Sequence, residues 1–330
     1  MKLSPRQKDA LRPLRDSLYL IGCTIYDALR FLRYSGIWFK ENTLKRDYKA
    51  VKIYHRMEKS LSFRNRKATS GWAAAADFVH LMERRHPPNA SLQFHERVGI
   101  KVLSDFVSNN AAPSNEYAHV LDFLDRHRNL ADGSTEGGTR MLSAAELQTG
   151  VLHSPEQFFM SRHSVRDFKD VRIDKALLHR ALSLATKTPS VCNRQSWFVY
   201  HLDERTRIDG ALALQNGNKG FGHQIPCLLI ITADLRAFDT AHERYQHWID
   251  GGMFSMSLVL ALHSLGLASC CLNWDQGPMN DLRLRSFLQL NDHHTVLMML
   301  AVGHPNDDIK VCASARRSAT DFYKKIGNEC

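Results

Sequence analysis

The sequence predicts an α+β fold preceded by a mainly helical segment, and three observations lead there. Apolar residues recur at helical spacing through residues 14–32, short apolar runs alternate with helical stretches after residue 153, and a glycine-containing stretch divides the two regions.

The elements follow in order. Leu14, Leu18, Ile21, Ile25, Leu29 and Leu32 lie three and four residues apart, which puts them on one stripe of a helix that Gly36 ends. Asp27, Arg30 and Arg33 interrupt the apolar character well short of the ~20 residues that span a bilayer. Packing of the stripe against another helix is expected. Arg12, Arg15, Arg30 and Arg33 beside Tyr19, Phe31 and Trp38 leave an interfacial helix as the alternative. Helical stretches follow over Val51–Phe63 and Trp72–Glu83, and Pro87-Pro88 and Asn109-Asn110-Ala111-Ala112-Pro113 punctuate the region. Leu130 to Gly150, with Asp132-Gly133-Ser134 and Glu136-Gly137-Gly138, reads as a linker. The expected division is therefore a basic helical extension over 1–140 and a second domain over 153–330.

In that second domain Asp174 can cap a helix carrying Leu177, Leu178, Ala181, Leu182 and Ala185 that ends before Pro189. Trp197–Leu202, Cys227–Ala233, Ser269–Asn273 and Thr295–Val302 suit buried strands. Met253 to Leu265 is apolar on nearly every face, so a central helix buried on most sides is expected. Cys270 and Cys271 are both expected to be buried as small hydrophobes.

A chain of 330 residues with 44% hydrophobic content can bury a substantial core. Seven cysteines without a CxxC pair argue against a disulfide framework and for a reducing compartment. Met1-Lys2-Leu3-Ser4-Pro5-Arg6-Gln7-Lys8 leads into more charge and not an apolar core, so no secretory signal is read and a cytoplasmic protein is expected. The first 150 residues hold 24 Lys and Arg against 16 Asp and Glu, the rest 20 against 18. The basic excess thus belongs to the extension, which makes residues 1–140 the candidate for contact with an acidic membrane or polymer. Nucleic acid is not the expected partner.

Chemistry concentrates in two motifs, Ser161-Arg162-His163-Ser164-Val165-Arg166-Asp167-Phe168 and Pro189-Ser190-Val191-Cys192-Asn193-Arg194-Gln195-Ser196-Trp197. Two arginines flanking a hydroxyl offer what an anionic phosphate and an electron-rich ring require. Asp250-Gly251-Gly252-Met253, the run Leu265 to Trp274, Ala301-Val302-Gly303-His304-Pro305 and Arg316-Arg317 follow in order. Together these pieces resemble the nitroreductase family of FMN-dependent oxidoreductases. The resemblance implies a mixed, largely antiparallel sheet flanked by helices and a homodimer with the flavin at its interface. The stretch from His55 to Phe63 is similar to an extension found on nitroreductase-family proteins of surface-polysaccharide biosynthesis.

The resemblance also distributes roles. Arg162, Ser164, Arg316 and Arg317 serve the FMN phosphate, with His163 either joining them or facing solvent. Arg166 serves the charge that reduction places on the ring near N1 and O2. Pro189, Ser190, Asn193 and Gln195 resemble the turn offered to the partner's flavin, where Asn and Gln amides present donor and acceptor in one plane; an Asn-stabilised turn before a strand is the plainer reading. Leu272 and Asn273 match the stretch whose backbone approaches flavin N5. Where familiar members carry a glycine soon afterwards, this chain has Trp274.

Two lookalikes are set aside. His242 and His247 are five apart and fall on different faces of a helix, so no metal site is expected. Gly217-Asn218-Lys219-Gly220-Phe221-Gly222 precedes a strand where a dinucleotide fingerprint must follow one. It reads as a loop in which Asn218 and Lys219 are candidates for flavin contact. The expected activity is transfer of hydride from NAD(P)H through FMN to a nitroaromatic, quinone or activated double bond, with no catalytic protein residue. The alternatives are a biosynthetic dehydrogenase, dehalogenase or flavin-fragmenting enzyme on the same fold, or a flavin-retaining membrane- or polyanion-binding protein.

Overall fold

The computed structural model describes residues 5–38, 43–65, 67–84, 91–131 and 137–327. Pro87-Pro88 and the linker positions Asp132 to Glu136 lie outside the described residues.

The chain begins with α1 (Pro5–Tyr34), α2 (Thr43–Ser62), α3 (Trp72–Glu83), α4 (Phe94–Ser108) and α5 (Ala118–Ala131). Helices α2 to α5 bury a core of their own around Tyr54, Met57, Trp72, Phe78, Ile100, Leu103, Phe106 and Phe123. Gly99 allows α4 to approach α3, because a Cβ there would lie 2.3 Å from the Phe78 ring. Asp47 of α2 accepts the N–H groups of His95 (2.8 Å) and Glu96 (3.2 Å) at the start of α4. Burial pushes its carboxyl up to about 6.

The long first helix forms where its periodicity places it, but its stripe is not covered. Leu14, Leu18, Ile21, Ile25 and Leu29 are 54–62% exposed, against the expectation that another helix packs on them. Docking uses other positions near the carboxyl end. Phe31 buries itself with Leu235, Ala237 and Phe238, and Arg30 donates to the carbonyls of Asp292 (2.7 Å) and His294 (2.9 Å).

After the short helices α6 (Ala144–Gln148) and α7 (Pro155–Met160), the chain alternates helix and strand. It runs through α8 (Lys175–Ala185), β1 (Trp197–Leu202), α9 (Arg205–Leu212), β2 (Cys227–Asp234), α10 (Gln246–Ser264), β3 (Ala268–Asn273), α11 (Pro278–Leu288) and β4 (His294–Gly303). All four apolar runs read as strands are strands. The Asp174 carboxylate caps α8 by accepting the Ala176 N–H at 2.9 Å. The sheet has the order β1-β2-β4-β3 with every neighbouring pair antiparallel.

Alternation along the strands sends residues to two cores. Leu228, Ile230, Leu272 and Met299 pack with Ile208 of α9 and Leu284 of α11. Leu229, Ile231, Leu300 and Val302 pack with Leu178 of α8 and Phe254, Leu258 and Leu262 of α10. Gly251 lets α10 lie close to the sheet, since a Cβ would stand 2.0 Å from the Leu297 side chain.

Two burial expectations fail for the same reason, that an apolar run need not have a partner within its own chain. Helix α10 buries one side only, and Trp248, Ile249, Met253 and Met256 stay exposed. On β3 Cys270 is buried, but Cys271 points to the opposite face and is exposed. Among the described residues, no helix is long and apolar enough to cross a membrane.

Candidate functional site

The segment from Ser161 to Phe168 lies along the outer edge of β3. The Val165 N–H donates to the Ser269 carbonyl (3.0 Å) and Ser164 forms a single parallel bridge with Ser269, while Phe168 bridges Pro305 beyond β4. Val165 and Phe168 are buried and fix the segment, leaving Arg162, Ser164 and Arg166 at a cavity of about 200 Å³. His163, Cys312, Ser314 and Arg316 complete its polar lining, and that lining holds three arginines and no carboxylate. A second cavity of about 340 Å³ shares Arg162 and His163 and continues along His263, Ser269, Ile309 and Val311.

Within this group the arginines are held differently. Arg166 stands over the Phe221 ring at 5.9 Å and reaches the Ser164 carbonyl (3.4 Å) and the Cys312 sulfur (3.7 Å). The Arg316 guanidinium bonds the Ser314 carbonyl of its own turn. Arg317 instead lies over Phe322 at 5.9 Å and does not line the cavity.

The second motif forms a turn with three non-glycine residues in the left-handed region: Cys192 (φ 50°), Asn193 (φ 55°) and Gln195 (φ 49°). Asn tolerates that conformation and the others do so at a cost, so the surroundings must hold it. Arg194 does so. Its guanidinium, 1% exposed, donates to the Ala237 carbonyl (2.6 Å) and to both carboxylate oxygens of Glu243, and it stacks over Phe238 at 5.0 Å. Burial opposes ionisation of Glu243, but the Arg194 hydrogen bond, the Asp239 N–H and Lys52 hold its carboxyl below the usual range. Asp250 accepts the Val191 N–H at 3.2 Å, and the Ser190 hydroxyl oxygen accepts the Gln195 N–H at 2.9 Å. The Gln195 amide donates to Asn193 Oδ1 at 3.3 Å, and Pro189 and Asn193 are exposed. Tyr48 of α2 and Val191 of the turn both pack against the cluster of Phe31, Leu235, Ala237 and Phe238, and α2 contacts the turn, so the helical extension backs it.

The two motifs are fixed at opposite ends of α10. The turn is tied to Asp250 in the first part of the helix; the first motif is tied to His263 near its end, through Ser161 Oγ to His263 Nε2 at 3.0 Å. Thirteen residues at 1.5 Å each separate these anchors by about 20 Å.

The remaining candidates lie nearer the first motif. Leu272 and Asn273 end β3, the edge strand, with the Leu272 side chain in the core and Asn273 exposed. The Asn273 carbonyl accepts from Gln215 Nε2 at 3.0 Å. The Asn218 amide spends its donors inside its own loop, on the Leu212 (2.8 Å) and Gln215 (2.7 Å) carbonyls. The Trp274 indole N–H donates to Asp281 at 3.2 Å. Asp281 also accepts from Arg285 (2.6 Å) and from the Tyr26 hydroxyl of α1 (2.7 Å), so the residue that departs from the family pattern is fastened to the first helix.

Sequence reasoning missed Arg194 as an anchor, because Glu243 lies 49 residues away, and Asp281 altogether, although its pairing with Arg285 at i,i+4 was a local signal and only its bond to Tyr26 is distant. Asp234, His293 and His294 have ligand atoms within 4.8 Å of one another. Asp234 is already engaged by Arg236 (2.6 Å) and the Tyr48 hydroxyl (3.2 Å), and His294 Nδ1 by the Tyr200 hydroxyl (2.9 Å). His247 stacks on Phe31 at a centroid distance of 5.9 Å, and burial depresses its pKa to about 4.

Fold and site together define an α+β protein with a cationic cavity at the edge of an antiparallel sheet. The model of the nitroreductase family matches residues 159–214 and 206–304 of the chain. The match leaves helices α1 to α6 outside it. Among solved structures, an FMN-dependent nitroreductase from Clostridium difficile is 21% identical and covers 53% of this chain and 99% of its own, with a TM-score of 0.43. A nitroreductase family protein from Streptococcus pneumoniae is 18% identical over 52% of this chain and 98% of its own, with a TM-score of 0.45. No curated protein matches the sequence.

Proposed function

We propose that this chain is an FMN-dependent oxidoreductase that works as a homodimer, accepting hydride from NAD(P)H and passing it to a small acceptor such as a nitroaromatic, a quinone or an activated double bond. The observation that carries the reading is the cavity at the β3 edge, where Arg162, Arg166 and Arg316 meet Ser164 with no carboxylate in the lining. Such a donor set fits a dianionic phosphate next to a ring that gains negative charge on reduction. Arg162, Ser164 and Arg316 hold the phosphate. Arg166, nearer the Phe221 and Cys312 side, faces the ring. Bound FMN supplies hydride acceptance and release, so no protein nucleophile or general base is needed.

The dimer reading rests on the separation of the two motifs along α10. It is supported by the exposed face of Trp248, Ile249, Met253 and Met256, a patch of the kind that marks a protein contact. In the dimer, Pro189, Ser190, Asn193 and Gln195 of one chain complete the cavity of the other. Residues 1–140 form the extension and 153–330 the flavin domain, with α2 bracing the turn that serves the partner's site. Purified protein is expected to be yellow and to release FMN on denaturation, identified by chromatography and mass. Release of FAD, or no flavin uptake after refolding with excess FMN, contradicts the proposal.

A further inference from the structure

Helix α1 turns its polar side to its own chain and its apolar side outward. The Tyr26 hydroxyl donates to Asp281 of α11 (2.7 Å), Arg30 donates to the Asp292 and His294 carbonyls, and Tyr19 covers Gly277, where a Cβ would stand 1.6 Å from the Tyr19 hydroxyl oxygen. At about 100° per residue these three residues share one side of the helix, and Leu14, Leu18, Ile21, Ile25 and Leu32 share the other. All five of the latter are exposed. The outward side also keeps a heptad register. Leu11, Leu18, Ile25 and Leu32 fall on one position of the repeat, and Leu14, Ile21 and Ala28 on the position three further on, with no polar residue at either. Such a run is the seam of two helices packed on each other.

Charge and area say what covers it. An anionic bilayer asks for cations beside the seam that are free to meet headgroups. Here Arg12 and Arg15 share Asp16, at 3.6 and 2.8 Å, and Arg30 is spent on two carbonyls of its own chain. The area points to a second copy of this chain. The seam exposes on the order of 600 Å² of apolar surface, short of the ~800 Å² per partner of a standard interface. The patch of Trp248, Ile249, Met253 and Met256 on α10 is smaller still. Together the two reach that size, and they adjoin: Phe31 of α1 stacks on His247, the residue before Trp248, at a centroid distance of 5.9 Å.

Resting on the homodimer reading of the flavin site, we propose that α1 packs its leucine seam against the same helix of a second copy, and that this helix pair and the α10 patch form one interface. The same stripe then serves both copies, as a two-fold contact requires. Without it the α10 patch alone is too small to hold two chains. The helix pair also reaches toward the flavin domain's own site, because the Asp281 carboxylate that fastens Tyr26 of α1 holds the Trp274 indole as well.

The test is the mass of the full-length protein, as purified, by light scattering and sedimentation over a range of concentrations. The wild type is expected to be a dimer. Leu18 and Ile25 are exposed, so Leu18→Glu combined with Ile25→Glu is expected to keep the wild-type circular dichroism. The dimer dissociation constant of this double variant is expected to rise roughly a hundredfold or more. Leu20→Glu, as exposed as Leu18 but away from the seam, is expected to dimerise as the wild type does. The proposal is overturned if the double variant dimerises like the wild type, or if it stays dimeric and loses only a retention of the wild type on phosphatidylglycerol vesicles. Met256→Glu on α10 keeps the two readings apart. If this change dissociates the dimer and the double variant does not, the homodimer of the flavin site stands and the α1 seam falls, whereas a wild-type monomer carrying stoichiometric FMN overturns both.

Discussion

Replacing Arg166 by Gln is expected to slow reduction of the FMN-loaded protein by NAD(P)H on the order of a hundredfold, with little loss of FMN affinity. The Arg166 guanidinium has no carboxylate partner among the described residues, only the Ser164 carbonyl, the Cys312 sulfur and the Phe221 face. Its charge is thus available to one that appears on the ring only as hydride arrives, and such an interaction acts on the transition state more than on the oxidised complex. Arg316→Gln is expected to do the reverse, lowering FMN affinity while the loaded fraction is reduced at nearly the wild-type rate. Stopped-flow reduction of both variants, each saturated with FMN, separates the cases. If Arg166→Gln is reduced normally but loses its flavin, the phosphate and ring ends of the cavity are exchanged.

The second large effect is on stability. Asp281→Ala is expected to cost about 3–5 kcal/mol of unfolding free energy, because it leaves a buried guanidinium without its counter-charge. Asp281 is 6% exposed and Arg285 5%, and the same carboxylate fastens Trp274 and Tyr26. Burial opposes ionisation of Asp281, yet the Arg285 charge and hydrogen bond and the Tyr26 hydroxyl hold its carboxyl below the usual range. A depressed folded value means that the contribution is fully present above the unfolded carboxylate pKa, near about 4, and is lost as the pH falls through the folded one. Urea unfolding at neutral pH should therefore show the full difference, and unfolding in acid a shrinking one. A difference below about 1 kcal/mol at neutral pH, the size of a surface pair, contradicts the assigned role.

Much of the fold was legible because its signals are local. Four short apolar runs became the four strands, and Asp174 caps α8 as its position before Leu177 and Leu178 implies. Helix α4 escaped notice although Gln93 and Glu96 form a capping box at its start, a signal that was there to be read. What could not be read is coverage. Periodicity puts Leu14 to Leu29 on one stripe and makes Met253 to Leu265 apolar, but whether a second surface lies on them depends on residues that spacing does not describe. The site divides along the same line. Arg162, Ser164, Arg166 and Arg316 meet at one cavity as their chemistry implies. Arg317 turns to Phe322, Asn218 bonds its own loop, and the anchors Glu243 and Asp281 lie 49 and 255 residues from the Arg194 and Tyr26 they hold, where no motif reaches.

The central claim is that each flavin site takes the arginine segment from one chain and the Asn193 turn from the other. Co-expression of an Arg162→Ala chain with an Asn193→Ala chain, followed by measurement of FMN bound per purified heterodimer, tests it most directly. Each variant alone is defective at both sites of its homodimer. A site shared across the interface gives the heterodimer one cavity with both residues intact and one with neither, so one FMN per heterodimer bound at wild-type affinity is the expected result. If both residues of a site came from the same chain, every cavity of the heterodimer would carry one substitution. Affinity no better than that of the two homodimers would then contradict the account.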